Sequence, residues 1–219
     1  MTVPGAVAEM TGRDFVHRAR KELSFTLASD VFDAAALPRG GDHALDGIDP
    51  RARLKAPKPA AVLVPVVNHA AEATILLTLR VQTLRAHSGQ IAFPGGRIDP
   101  EDASPAEAAL REAREEIGLD PACVVPIGYL DPYLTGTGYL VIPTVAVVEP
   151  PFTLTLNPSE VADTFEVPLA FLMNPCNHLR HSRDFNGTLR NFYAMPYAER
   201  YIWGATAGML RNLFERLYG

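Results

Sequence analysis

The 219-residue sequence predicts an α+β fold, a sheet sandwiched between helices in α/β/α fashion. Three observations carry that reading. Two β-branched runs follow closely after residue 60, one helix with both ends spelled out begins at Pro105, and an amphipathic helix closes the chain behind a second group of strands. No internal repeat is visible, so one domain over 60–219, preceded by a helix and irregular extension over 1–59, is the simplest organisation. A hydrophobic content of 47% is ordinary for a chain that buries a core. The formal net charge of −5 gives no electrostatic footprint for nucleic acid or an anionic membrane, so an anionic ligand must be attracted locally.

No stretch approaches the ~20 apolar residues of a membrane span, and residues 1–11 lack the apolar run of a signal peptide. Cys123 and Cys176 are too few for a disulfide scaffold, although a single bridge stays open. The expectation is a cytoplasmic protein.

Residues 12–28 predict a first helix, with Phe15, Ala19, Leu23 and Phe25 partly in step, packed outside the main fold. Residues 37–59, rich in Pro, Gly, Asp and Arg, read as an irregular connection. The run AAVLVPVV (60–67) and the run ATILLTLR (73–80) read as neighbouring strands, the second delivering Thr78 and Arg80 toward a site. A polar loop with Arg85 and His87 follows. Then come a short IAF strand and a Pro94-Gly95-Gly96 turn, whose glycines let backbone amides approach a ligand.

Ser104 is an N-cap, Pro105 suits the first helical position, Glu107 completes a capping box and Gly118 offers a left-handed stop. At helical spacing Ala106, Leu110, Ala113 and Ile117 share an apolar face. Glu112, Glu115 and Glu116 crowd into an arc of roughly 100° on another side. A solvated charged face is the bland reading of such a helix; a hard divalent cation, which wants carboxylate oxygens, is the sharp one.

Beyond it, residues 123–130 and 138–149 read as strands joined by a turn at 135–138, with Pro143 arguing for an edge or a bulge. FTLTL (152–156) reads as another short strand, and residues 157–175 as a turn into a short helix carrying Leu169, Phe171 and Leu172 inward. A strand, a turn and a final helix with Met209, Leu210, Leu213, Phe214 and Leu217 end the chain; Trp203 reads as packing.

The segment from Arg111 to Leu119, REAREEIGL, resembles the right half of the Nudix box, R-E-U-x-E-E-x-G-U with U aliphatic. Ahead of it the glycine stands one residue earlier than in the general box, and Ala103 occupies the position of its first Glu. The extra residue is similar to the coenzyme A pyrophosphatase form, GG-x-x-D-P-x-D, as Gly95, Gly96, Asp99, Pro100 and Asp102 read here. LLTLRVQTLRAHSGQIAFPGG, Leu76 to Gly96, resembles that subfamily's upstream signature.

The resemblance implies the Nudix fold, a mixed sheet between helices, and Mg²⁺- or Mn²⁺-dependent hydrolysis of the diphosphate of coenzyme A or its thioesters. It implies Glu112 and Glu116 as metal ligands, Glu115 as third ligand or general base, and Arg111 orienting the group or forming only a surface ion pair. Glu160 is a candidate remote carboxylate, or else a residue favoured at a helix N-terminus. Arg80 and Arg85 are candidates for substrate phosphates, and His87 for the diphosphate or for holding its loop. Asp99 and Asp102 read as turn formers. Two other readings remain: a Nudix hydrolase of another nucleoside diphosphate derivative such as ADP-ribose, and a non-catalytic domain that binds a nucleotide or coenzyme A. A homodimer is the general expectation for assembly.

Overall fold

The computed structural model describes residues 11–33, 40–47, 57–82, 89–185 and 187–219. In chain order the elements are α1 (Gly12–Glu22), β1 (Gly40–Gly41), β2 (Lys58–Asn68), β3 (Ala73–Arg80), β4 (Ile91–Ala92), β5 (Gly95–Arg97) and α2 (Pro105–Ile117). There follow β6 (Val124–Tyr129), β7 (Tyr133–Leu134), β8 (Tyr139–Val148), β9 (Val161–Pro168) and α3 (Leu169–Leu172). The last are β10 (Leu179–Phe185), β11 (Thr188–Tyr197), β12 (Arg200–Trp203) and α4 (Ala205–Tyr218). Among the described residues β1 to β9 form one mixed sheet with the path β1-β7-β8-β2-β3-β4, while β10, β11 and β12 form a separate antiparallel sheet. β2 lies parallel to β8 and antiparallel to β3. No described helix is long and apolar enough to cross a membrane.

Period-two alternation along β2 and β3 sorts the core onto the two faces of the main sheet. Ala61, Leu63, Val67 and Leu76 face Ala109, Ala113 and Ile117 of α2. Val64, Val66, Ile75 and Leu77 turn the other way, into a cluster with Phe15 of α1, Leu169 and Leu172 of α3, and Leu210 and Leu213 of α4. Each large apolar side chain so buried contributes about 1.5–3 kcal/mol, which is what clamps helices to both faces. The α+β class, a mixed sheet between helices, stands as the sequence implied.

Several local expectations are corrected. α1 ends at Glu22 because Leu23 turns extended and Ser24 bridges to Tyr129. It does not pack outside the fold: Phe15 and Ala19 are fully buried in the larger core cluster. The glycines at 95 and 96 are not a turn but open β5, pairing Val62 with Gly95 and Ala61 with Gly96. Residues 152–156 join no sheet. Phe152, Leu154 and Leu156 instead cover the α2-side cluster, and the Thr155 N–H donates to the Ile117 carbonyl at the end of α2.

Pro143 sits in a central strand rather than at an edge. β8 exchanges β7 for β6 as its neighbour at this point, and the Pro143 carbonyl accepts from Leu130 N–H, so the missing donor falls at a break between partners. The span 157–175 contains a whole strand, β9, before its short helix, and β10 was not anticipated.

Candidate active site

α2 begins and ends where its sequence says. Ser104 Oγ accepts from Glu107 N–H at 3.2 Å, Pro105 opens the first turn and Gly118 closes the last at φ 66°. The Glu107 carboxylate reaches back to Ala103 N–H at 3.0 Å, one residue before the cap. The buried face is rotated from the expected one: Ala108, Ala109, Ala113, Glu116 and Ile117 are buried, whereas Ala106 and Leu110 are half-buried. Packing against β2 chose the narrow, small-residue side of the helix. That rotation separates the three glutamates.

Glu116 is 2% exposed. Its Oε1 accepts from Arg80 Nη1 at 3.1 Å and its Oε2 from Gly95 N–H at 3.1 Å. Alternation along β3 turns Leu76, Thr78 and Arg80 to the α2 side, and this is why Arg80 reaches a helix 36 residues later in the chain. Burial pushes the Glu116 carboxyl up to about 7; the Gly95 amide and Arg80 oppose that rise, and Glu160 and Glu112 add to it.

Glu112 is half-buried, with Oε1 3.0 Å from Arg111 Nη1. Its pKa is also raised, by burial first, against the pull of Arg111 and with repulsion from Glu115 and Glu160. Gly96 is what makes room for it: a Cβ there would lie 2.5 Å from the Glu112 carboxylate. Glu115, its side chain 58% exposed, is 3.4 Å from Arg111 Nη1 on the open side.

Arg111 is a hub rather than a surface pair. Nε and Nη2 donate to the two oxygens of Asp102 at 3.1 and 3.0 Å, Nη2 also reaches the Arg97 carbonyl at 3.1 Å, and Nη1 serves Glu112 and Glu115. Asp102, its side chain 7% exposed, accepts as well from Asp99 N–H, so it forms the expected turn and anchors Arg111 besides. Arg111 holds the Asp102 carboxyl below its ordinary value. Sequence reasoning missed that second role; an acid nine residues before an arginine, across a helix cap, was its only trace.

Glu160 is not at a helix N-terminus. It lies in the turn before β9, with its N–H donating to the Asn157 carbonyl, its own carbonyl accepting from Val81 N–H, and Oε1 accepting from Asn157 Nδ2 at 3.3 Å. A register shift at Leu79 and Arg80 in the β3–β9 pairing adjoins this turn, which puts Glu160 within electrostatic reach of Glu112 and Glu116. Arg85 and His87 lie outside the described residues.

Trp203 packs edge-on against Phe192, with centroids 5.2 Å apart.

The donor chemistry fits a hard divalent cation. Glu112, Glu116 and Glu160 offer only carboxylate oxygens; the Glu160 charge helps to raise the pKa of Glu112 and of Glu116, and Glu112 that of Glu116, a repulsion that a cation relieves. Among the described residues no three of His, Cys, Asp or Glu already converge on one point. Glu116 is spoken for by Arg80 and Gly95, so ligation requires these side chains to re-aim.

Buried carboxylates that gain from a cation, set beside arginines, suit hydrolysis of a phosphoanhydride, and that is the class of enzyme the fold and site define. The family model of the NUDIX domain matches residues 57–184, and the chain belongs to that family: it is a Nudix hydrolase. Hydrolases of this family generally need divalent metal ions. The chain is 42% identical over 158 residues to the uncharacterized Nudix hydrolase NudL of Cronobacter sakazakii, covering 71% of this chain and 81% of that protein. It is 40% identical to NudL of Escherichia coli K12, with the same coverage of both. Similar solved structures include the NUDIX domain of Shewanella oneidensis NrtR complexed with ADP ribose, 19% identical over 80% of this chain and 94% of that one, at a TM-score of 0.46. Another is a C. elegans Ap4A hydrolase, 21% identical over 50% and 80%, at a TM-score of 0.43.

Proposed function

We propose that residues 60–219 form a coenzyme A diphosphatase, hydrolysing the diphosphate of coenzyme A or its thioesters with Mg²⁺ or Mn²⁺ in the cytoplasm. The observation that supports this reading is the run from Leu76 to Leu119 in the sequence, together with the fact that two residues of its signature-like part, Arg80 and Gly95, meet at Glu116. Water adds to one phosphorus, the P–O–P bridge breaks, and two phosphate monoesters leave, adenosine 3′,5′-bisphosphate and 4′-phosphopantetheine or its acyl form.

Glu112 and Glu116 would hold the cation, with Glu115 as third ligand or base and Glu160 as the remote carboxylate that completes the metal shell or activates water. When bound, the cation neutralises the diphosphate oxygens and lowers the pKa of a coordinated water. Arg111 keeps Glu112 in place through its grip on Asp102. Arg80, once released from Glu116, would meet a phosphate oxygen, with Arg85 and His87 as further contacts. Where Glu115 serves as the base rather than as a ligand, its exposed carboxylate, 3.4 Å from Arg111 Nη1, would accept the proton of the attacking water.

The test is product identification. Purified protein with Mg²⁺ is offered coenzyme A, an acyl-coenzyme A, ADP-ribose and NADH. Release of adenosine 3′,5′-bisphosphate, lowered by orders of magnitude in Glu116→Gln, supports the proposal. Turnover of ADP-ribose alone, or of no compound, overturns it.

A further inference from the structure

A second feature stands apart from the carboxylates. The pairings His181↔Phe192 and Ala194↔Trp203 place His181, Phe192 and Trp203 on one face of the β10–β12 sheet, while Met195 and Ile202 on the opposite face are fully buried in the core. The outer face holds a depression of about 580 Å³ lined by the rings of Phe192, Tyr201 and Trp203, together with His181 and Arg183, and at its rim by Arg180, whose register position opposite Tyr193 is on the other side of the edge strand β10.

The rings are fixed relative to one another. Phe192 meets Trp203 at 5.2 Å, His181 lies nearly parallel to Tyr201 at 6.1 Å, and His181 Nδ1 is 2.6 Å from Tyr201 Oη. The lining contains no carboxylate, on a chain whose formal net charge is −5. Aromatic faces take a planar ring by stacking, and guanidinium groups take phosphate oxygens in pairs. A depression this small on an acidic chain suits one nucleotide rather than a nucleic acid strand.

The depression is also linked to the acidic site. Trp203 is three residues from Thr206, whose Oγ donates to the Ile91 carbonyl at 2.9 Å. Ile91 follows the segment that leaves the site at Arg80, whose N–H donates to the Gln90 carbonyl. The Arg80 N–H and the Thr206 hydroxyl thus donate to consecutive residues, Gln90 and Ile91.

We propose that the outer face of β10–β12 is a second binding site, for a purine nucleoside phosphate, with the base against Trp203 and Phe192 and a phosphate at Arg180 and Arg183. It does not depend on which substrate the carboxylates hydrolyse.

Trp203 is the only tryptophan in the chain, so its fluorescence reports this site alone. The experiment titrates the full chain with adenosine 3′,5′-bisphosphate in chelator, where no turnover occurs, and follows Trp203 emission alongside calorimetry. Saturable quenching is expected, with adenosine and inorganic phosphate each binding at least ten-fold more weakly. Arg180→Ala and Phe192→Ala are expected to weaken the nucleotide at least ten-fold; melting temperature confirms that each is folded, and the first leaves the packed rings in place. The Glu116→Gln protein is expected to quench like wild type, which separates this site from the hydrolytic one. Unchanged emission up to millimolar nucleotide, equal affinity for phosphate alone, or undiminished affinity in Arg180→Ala overturns the proposal.

Discussion

Glu116 offers the sharpest test of the site's electrostatics. Its carboxyl rises from an ordinary 4.5 to about 7 because it is buried beside Glu112 and Glu160, despite the bonds from Arg80 and Gly95. A carboxyl whose folded pKa exceeds its unfolded one holds its proton more tightly in the native state. Its contribution to stability is therefore complete below the unfolded value and is lost as pH climbs through the folded one. A rise of about 2.5 units at about 1.36 kcal/mol each amounts to roughly 3 kcal/mol lost between about pH 4.5 and 8. For a chain of this length that corresponds to roughly 6–12 °C of melting temperature. In chelator, wild type is expected to fall by this much more than Glu116→Gln across that window, because the amide cannot ionise. Added Mg²⁺, binding only the folded state, is expected to recover the loss at pH 8 in wild type and far less in the variant. Parallel melting curves for the two proteins across the window would refute the reasoning.

The two adjacent glycines are expected to part company. Gly96→Ala drives a methyl into the mobile end of Glu112, so activity falls at least ten-fold while the melting temperature barely moves. Gly95→Ala, with φ at 156° and its Cβ within 2.4 Å of the Ala61 carbonyl oxygen, is expected to destabilise by about 1–3 kcal/mol, read by denaturant unfolding. Arg111→Met strands Asp102 and is expected to cost about 1–3 kcal/mol at pH 7. Because Arg111 lowers the Asp102 pKa, that stabilisation is present above the ordinary value of 3.8 and lost as pH falls below it; melts at pH 7 and pH 3 check the convergence. Phe15→Ala is expected to cost about 3–5 kcal/mol in chemical denaturation, since α1 is part of the core; a loss under about 1 kcal/mol would return α1 to the periphery.

Much of the architecture was legible because the signals are local. The caps of α2, the β-branched runs of β2 and β3 and the apolar stripe of α4 are each written within one turn or one strand, and each formed where it was read. Strand β9 was not legible. It pairs only with β3 among the described strands, so its residues Asp163, Thr164 and Glu166 stay partly exposed and no apolar run marks it. FTLTL had a strand's pattern but used its apolar residues to cover the end of α2 instead.

The candidate site divides along the same line. The sequence by itself determined that three carboxylates share a helix and that Arg111 directly precedes the first of them, since helical spacing depends only on neighbours. Which of the three would be buried, which would be shared with Arg111 and which would stay in water was decided by how α2 rolled onto β2. The partners of Glu116 come from β3 and β5, 36 and 21 residues earlier, and only the closed sheet brings them within hydrogen-bonding distance. A side chain's charge is fixed by its chemistry; the cost of keeping that charge is set by what the folded chain packs around it.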